Sequence, residues 1–205
     1  MVRAADGAER PARTSVWLEG RAPRGRGVRH GGQPSGLDRE RITAATVRLL
    51  DAEGLARFSM RRLAAELNVT AMSVYWYVDT KDDLLELALD AAFGELGLPD
   101  AESKEDWRDQ LRTLAAGYRG LLARHPWVTT LTGDFLNIGP CSTAFTSRVG
   151  QVIRDAGMPA DGRPGATAAV LQFVYGAGTV ESGERDFGFG LELLIAGIEA
   201  KVPRD

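Results

Sequence analysis

The stretch Phe58-Ser59-Met60-Arg61-Arg62-Leu63-Ala64-Ala65-Glu66-Leu67-Asn68-Val69-Thr70-Ala71-Met72-Ser73-Val74-Tyr75-Trp76-Tyr77-Val78 holds two short helical signals joined by a tight turn. Ser59 can cap a helix carrying Leu63, Ala64 and Leu67 on one side. Asn68 tolerates the left-handed conformation that ends it, and Thr70 can cap a second helix running to about Val78. The small side chain of Ala64 permits a close crossing, which completes the grammar of a helix-turn-helix. On the second helix Val74 and Val78, four residues apart, face inward. Met72, Tyr75 and Trp76 lie opposite, with Ala71 and Ser73 at the edges. A DNA major groove accounts for two large aromatics turned toward solvent: methyl and thioether groups meet thymine methyls, the Ser73 hydroxyl serves donor or acceptor, and aromatic hydroxyls reach phosphates. The alternative is a neighbouring element that buries Tyr75 and Trp76.

Upstream, Asp38 can cap a first helix with Ile42, Ala45, Leu49 and Leu50 at helical spacing, stopped by Gly54. Downstream, Thr80 and Asp83 form a capping-box start for a fourth helix carrying Leu84, Leu85, Ala88, Leu89, Ala92 and Phe93. After a break from Gly94 to Pro99, acidic residues precede Trp107, Leu111, Leu114, Tyr118, Leu121 and Leu122, a further helix face with anions at its positive end. Pro126 opens a new segment. Phe145, Val149, Val152 and Ile153 mark another helix, closed by Gly157-Met158-Pro159, and helices from Ala166 to about Val180 and from Phe187 to Lys201 complete the chain. No convincing alternating strand occurs. The pattern predicts an all-α fold of roughly nine helices: an arm over 1–36, a helix-turn-helix domain over 37–94 and a helical body over 95–205.

The 205 residues are 44% hydrophobic and 26% charged, an ordinary globular composition. A single cysteine, Cys141, excludes an internal disulfide and a cysteine-based zinc site. No apolar run reaches the roughly 18 residues of a membrane span, and the arginines near Met1 lack the apolar stretch of a signal peptide, so a soluble, cytoplasmic protein with no membrane partner is expected. The net charge of -3 hides an asymmetry: residues 1 to 37 hold seven arginines against Asp6, Glu9 and Glu19. A basic arm on an acidic body suggests an anionic partner. Most of the arm is Arg, Gly, Ala and Pro, which cannot offset the entropy of ordering. Ser15-Val16-Trp17-Leu18 is its apolar exception; it either docks on the body or has no packing role, and composition favours the second.

From about Asp38 to Phe93 the chain resembles the DNA-binding domain of the TetR family of bacterial repressors, above all in Val69-Thr70-Ala71-Met72-Ser73-Val74-Tyr75-Trp76-Tyr77-Val78-Asp79-Thr80-Lys81 followed by Asp82-Asp83-Leu84-Leu85. The resemblance implies that Arg61, Ala71, Met72, Ser73 and Trp76 read bases while Thr70, Tyr75, Tyr77 and Lys81 hold phosphates. Physical chemistry agrees with two of these roles. Lys81 stands where a helix N-terminus also favours phosphate, and Arg61 has the fork geometry for guanine. Two positions depart from the family pattern: Asn68 replaces the usual turn glycine, and Tyr77 stands where histidine is frequent.

His125-Pro126-Trp127-Val128 and Phe187-Gly188-Phe189-Gly190-Leu191-Glu192-Leu193-Leu194 are similar to a TetR-type C-terminal domain, implying a ligand-responsive homodimer that binds a palindromic operator in double-stranded DNA. Ala168, Leu171, Phe173, Val174 and Ala177, with Phe187, Leu191, Leu194, Ile195 and Ile198, offer two helices for a four-helix interface, or else a monomeric core. The link from Glu181 to Asp186 is short for the family. Trp107, Tyr118, Phe135, Asn137, Phe145 and Phe173 are candidates to line an effector pocket, and their composition leans toward a bulky hydrophobic small molecule. In the arm, Pro23-Arg24-Gly25-Arg26-Gly27 is similar to the core of an AT-hook, which would place Arg24 and Arg26 in a minor groove; a solvated tail is the alternative. No cofactor is called for. An enzyme reading would rest on Asp82, Asp83 and Glu86 in D-D-x-x-E spacing or on Cys141 with His125, and no second acidic cluster supports the first. The remaining alternative is a helical ligand-binding or interaction protein that has lost operator recognition.

Overall fold

The structure, a computed structural model, describes residues 15–18, 36–100, 102–177 and 183–203. Among these residues it contains nine α-helices and no strand. Local chemistry places the first four helices where the sequence signals them. Asp38 caps α1 (Arg39–Glu53) by accepting the Arg41 N–H at 2.7 Å, and Gly54 ends it at φ 77°, a conformation that a side chain would strain. Ser59 caps α2 (Met60–Glu66), Asn68 takes the left-handed turn at φ 54°, and Thr70 caps α3 (Ala71–Tyr75). Thr80 and Asp83 make the reciprocal capping box that starts α4 (Lys81–Phe93).

Helix α3 is shorter than its sequence signal, stopping at Tyr75 instead of continuing to about Val78. The Tyr77 N–H turns in to the Val74 carbonyl at 3.0 Å, and the Tyr77 hydroxyl donates to the Leu37 carbonyl at 2.7 Å, so the chain is drawn toward α1 before the Thr80 cap.

The body comprises α5 (Trp107–Arg124), α6 (Trp127–Asp134), α7 (Pro140–Asp155), α8 (Arg163–Gly176) and α9 (Glu184–Glu199). The expected extension of the eighth helix to about Val180 falls partly outside the described residues. Helix α9 begins earlier than Phe187, with Glu184 and Asp186 in its positively polarised first turn. One continuous apolar core joins head and body, from Ile42, Leu50, Leu63, Val74 and Leu84 through Phe93 to Tyr118, Leu131, Phe145 and Ile153.

One expectation is overturned. Ser15-Val16-Trp17-Leu18, read as an apolar spot without a packing role, is seated against α4. The Ser15 hydroxyl donates to Glu86 Oε1 at 2.5 Å, and the Val16 N–H to Glu86 Oε2 at 2.8 Å. Ser15 and Val16 are 4% and 7% exposed, and Trp17 packs beside them on the core. The physical reason is a carboxylate inside α4 that needs donors its own helix cannot supply.

Candidate nucleic-acid interface

The outward face of α3 carries Met72, Tyr75 and Trp76 at 69%, 43% and 67% exposure, while Val74 behind them is fully buried. Nothing among the described residues covers these apolar groups. Thr70 Oγ1 accepts the Ser73 N–H at 3.2 Å and lies 2.9 Å from Ser73 Oγ, so the first turn of α3 is held by its own two hydroxyls. On α2, Arg62 pairs with Glu53 of α1, whereas the neighbouring Arg61 is exposed on the same helix.

Two of the expected phosphate contacts have internal duties. The Tyr77 hydroxyl spends its proton on Leu37, leaving lone pairs that repel a phosphate oxygen. Lys81 Nζ donates to the Phe58 carbonyl at 3.1 Å and lies 5.4 Å from the centre of the Phe58 ring, yet an ammonium keeps two further protons. Tyr75 and Lys81 are exposed on the α3 side of the head. Arg24 and Arg26 lie outside the described residues.

Behind this surface α4 holds three buried carboxylates, Asp83, Glu86 and Asp90, at 5%, 3% and 6% exposure. Asp83 closes the capping box by accepting the Thr80 N–H at 3.1 Å. Glu86 receives Ser15 and Val16. Asp90 reaches across to the start of α7, accepting the Ser142 N–H at 2.9 Å, the Ser142 hydroxyl at 3.0 Å and the Cys141 N–H at 3.2 Å. It thus caps a helix that has no side-chain cap of its own residue, since Gly139 occupies the N-cap. A methyl group on Gly139 would land on the Asp90 carboxylate, so glycine is required there by close approach. The carboxylates of the D-D-x-x-E spacing are therefore committed at Asp83 and Glu86. Among the described residues no group of three or more His, Cys, Asp or Glu side chains could hold a metal. Burial pushes the Cys141 thiol up, with the Asp90 carboxylate adding to it, the opposite of what a nucleophilic thiolate needs.

Head and body meet again at His125. Nδ1 lies 2.7 Å from Asp51 Oδ1 at the end of α1, and Nε2 lies 3.0 Å from Glu95 Oε2 just after α4. Both ring nitrogens face carboxylate oxygens, so only the doubly protonated imidazolium can donate to both. Burial opposes that charge, but the hydrogen bonds donated to Glu95 and Asp51 outweigh it and raise the His125 pKa. The hydrogen bond from His125 in turn lowers that of Glu95. Trp127 Nε1 also donates to Asp51 Oδ1, at 2.7 Å.

The six expected effector residues do not form one cluster. Tyr118 and Phe145 meet in a wall of four rings completed by Phe93 and Tyr175, with centroids 5.2 to 6.5 Å apart. Burial pushes the Tyr118 hydroxyl up to about 12, and its oxygen lies 3.4 Å from Thr132 Oγ1. Asn137 donates to the Thr132 and Phe135 carbonyls between α6 and α7, and its Oδ1 is buried without a partner. Trp107 stands at the first turn of α5 with the Arg108 guanidinium over it. Phe173 faces the other way, stacked on Phe187 of α9 at 5.1 Å. Sequence reasoning missed Phe93 and Tyr175 as partners of Tyr118, because Phe93 fits an inner helix face and Tyr175 lies in a helix with little amphipathic pattern.

Of the ten residues proposed for the α8 and α9 interface, Val174, Phe187, Leu191, Ile195 and Ile198 are buried within the chain itself. Phe189 and Leu193 are exposed instead, and Leu193 borders a groove lined also by Gly165, Ala169, Leu194 and Gly197.

Comparison with known proteins matches this architecture. Residues 42–88 match the family described as bacterial regulatory proteins, tetR family, and residues 98–184 match the tetracyclin repressor-like C-terminal domain. An HTH-type transcriptional regulator of Saccharopolyspora erythraea is 41% identical over 146 residues, which are 71% of this chain and 61% of that protein. The chain thus spans about three fifths of the length of that relative. Among solved structures, BioQ with its double-stranded DNA operator is 28% identical with a TM-score of 0.69, covering 80% of this chain and 99% of its own. The TetR family protein ActR of Streptomyces coelicolor, in complex with (S)-DNPA, is 25% identical with a TM-score of 0.70, covering 82% and 99%. The two family matches together take in most of the described chain, head and body alike, and the protein belongs to the TetR family of transcriptional regulators.

Proposed function

We propose that the protein is a dimeric, sequence-specific DNA-binding repressor that a small hydrophobic effector releases from a palindromic operator. The observation that carries this reading is the outward face of α3, three large apolar side chains exposed on a helix whose other side is anchored by Val74. Such a face is costly in water and complementary to a major groove. Arg61, Ala71, Met72, Ser73 and Trp76 read bases; Thr70, Tyr75 and Lys81 hold phosphates. Tyr77 acts by fixing the turn that presents them. Arg24 and Arg26 add minor-groove contacts beside the head.

In this reading residues 37–94 form the DNA-binding domain and residues 95–205 the effector and dimer domain, with 1–36 as a basic arm. The exposed Phe189 and Leu193 favour pairing of α8 and α9 with a second copy. The effector lodges against the ring wall of Tyr118 and Phe145, with Asn137 at one side, Trp107 and Phe135 toward its rim, and Phe173 linking α8 to α9. Movement of α7 reaches the head through Asp90, because the α7 N-terminus is bonded to α4. The protein works in the cytoplasm as a regulator and not as an enzyme. The operator complex of BioQ, the (S)-DNPA complex of ActR and the repressor-like C-terminal match support these roles.

Selection of bound duplexes from randomised DNA at near-physiological salt, followed by sequencing, tests the proposal. Enrichment of a palindrome with half-sites about one helical turn apart is expected. Absence of any enriched sequence, with binding still weak at low salt, would overturn it.

A further inference from the structure

Arg148 is a buried cation with no anion beside it among the described residues. It is 7% exposed on α7, one helical turn beyond Phe145. Its Nη2 donates to Gln110 Oε1 of α5 and to the Asp100 carbonyl, both at 2.5 Å. Both acceptors are neutral. Gln110 is itself fixed, because its Nε2 donates to the Glu105 carbonyl at 2.7 Å, which keeps Oε1 turned to the arginine. The Nε and Nη1 groups of Arg148 are buried, and among the described residues no acceptor reaches them. A guanidinium is a permanent cation, and holding one inside a fold on neutral oxygens alone, with two nitrogens unused, is strongly unfavourable unless something else completes the site.

A second unused donor belongs to the ring wall itself. The Tyr175 hydroxyl is buried with no partner among the described residues, and burial raises its pKa, so it stays protonated and able to donate. Its ring is 6.5 Å from that of Phe145, and Phe145 leads along α7 to Arg148. An aromatic surface thus continues into unused hydrogen-bond donors, one of which is charged.

We infer that Arg148, oriented by Gln110, is an anion subsite of the effector chamber, and that the effector is an aromatic molecule bearing an ionised oxygen such as a carboxylate. The ring system lies against Phe145 and its neighbours, the ionised oxygen accepts from the free nitrogens of Arg148, and Tyr175 donates to a further acceptor on the ring body. A charge-assisted hydrogen bond formed in a dry site carries more weight than a neutral one, so the anion dominates selectivity. This inference rests on the effector-binding role proposed for the body.

The test is fluorescence titration of the full chain with two probes of one skeleton, the anionic 1-anilinonaphthalene-8-sulfonate and the neutral N-phenyl-1-naphthylamine. The wild-type protein is expected to bind the anionic probe about tenfold or more tightly than the neutral one, by the usual strength of a hydrogen bond to a charged group. Arg148→Met should bring the two dissociation constants to within about twofold while leaving the neutral probe's affinity nearly unchanged. Equal affinities in the wild-type protein, or a preference that survives in Arg148→Met, would overturn the anion subsite and leave the effector chamber standing. If neither probe binds, the chamber itself is wrong and the subsite falls with it. Should Arg148→Met not fold, the wild-type ratio and that of Arg148→Lys, which keeps the charge and should keep part of the preference, decide the matter.

Discussion

Helices α3 and α4 are neighbours in the chain and opposites in what they show to water. The five residues of α3 put Met72 and Tyr75 outside, with Trp76 at its end, while the thirteen residues of α4 put Asp83, Glu86 and Asp90 inside. Both arrangements invert the ordinary rule that apolar groups are buried and charges solvated. The difference lies in where the partner is. Each buried carboxylate of α4 has its donors within the chain, so those charges belong to the architecture. The apolar face of α3 has no such partner among the described residues, which is what the proposed DNA contact would supply.

That contrast can be broken most severely at Glu86. Deleting residues 1–18 strips its donors together with the apolar cover of Val16 and Trp17, which should lower unfolding stability by about 3 kcal/mol in denaturant titration. Adding Glu86→Leu to the same deletion should recover at least half of the loss; no recovery would mean that Glu86 is not the reason the strap matters. On the other helix the signs reverse. Trp76→Ala should leave the unfolding midpoint within about 0.5 kcal/mol of wild type yet weaken binding to the selected operator by about 2 kcal/mol, roughly 30-fold. Equal damage to stability would place Trp76 among the core residues instead.

Within the head the comparison sharpens between Arg61 and Lys81. Arg61→Ala should cost about 1 to 3 kcal/mol on the selected sequence and relax preference at one base position. Lys81→Ala should weaken all sequences alike and reduce the salt slope by about one. Binding titrations on operator and scrambled duplexes at three salt concentrations separate the two. The smallest effect expected is that of pH at His125. Its pKa is raised above the ordinary 6.5, so its bonds to Asp51 and Glu95 contribute fully below about that pH and are lost as pH rises through the folded value. The lowered pKa of Glu95 keeps its half of the contact intact down to below 4.5. Stability followed from pH 6 to 9 should therefore fall gently, and His125→Gln should flatten that fall; an unchanged slope would assign it to other groups.

Much of this was legible in the chain. The caps at Asp38, Ser59, Thr70 and Thr80 are local, since each side chain bonds the backbone N–H three residues on, and local rules find local bonds. The inward Val74 and outward Trp76 follow from helical spacing alone. What escaped depends on distant parts of the chain meeting. Nothing near Glu86 announces Ser15, and nothing near His125 announces Asp51, 74 residues away. Arg148 did leave a trace, a charged residue in the stripe that runs from Phe145 through Val149 to Val152. The division of the effector candidates was not readable, because Phe173 and Tyr175 sit on one short helix yet face different neighbours.

The strap on Glu86 also imposes an order on synthesis. Ser15 is made 71 residues before its partner. At translation speeds of about 5 to 20 residues per second, the interval is roughly 4 to 14 seconds. Throughout it Val16 and Trp17 have no α4 to rest on, while α1, α2 and α3 can already form from contacts close in sequence. The segment that leaves the ribosome ahead of the head is thus among the last to be fastened to it, because the strap has nothing to hold until α4 has been made.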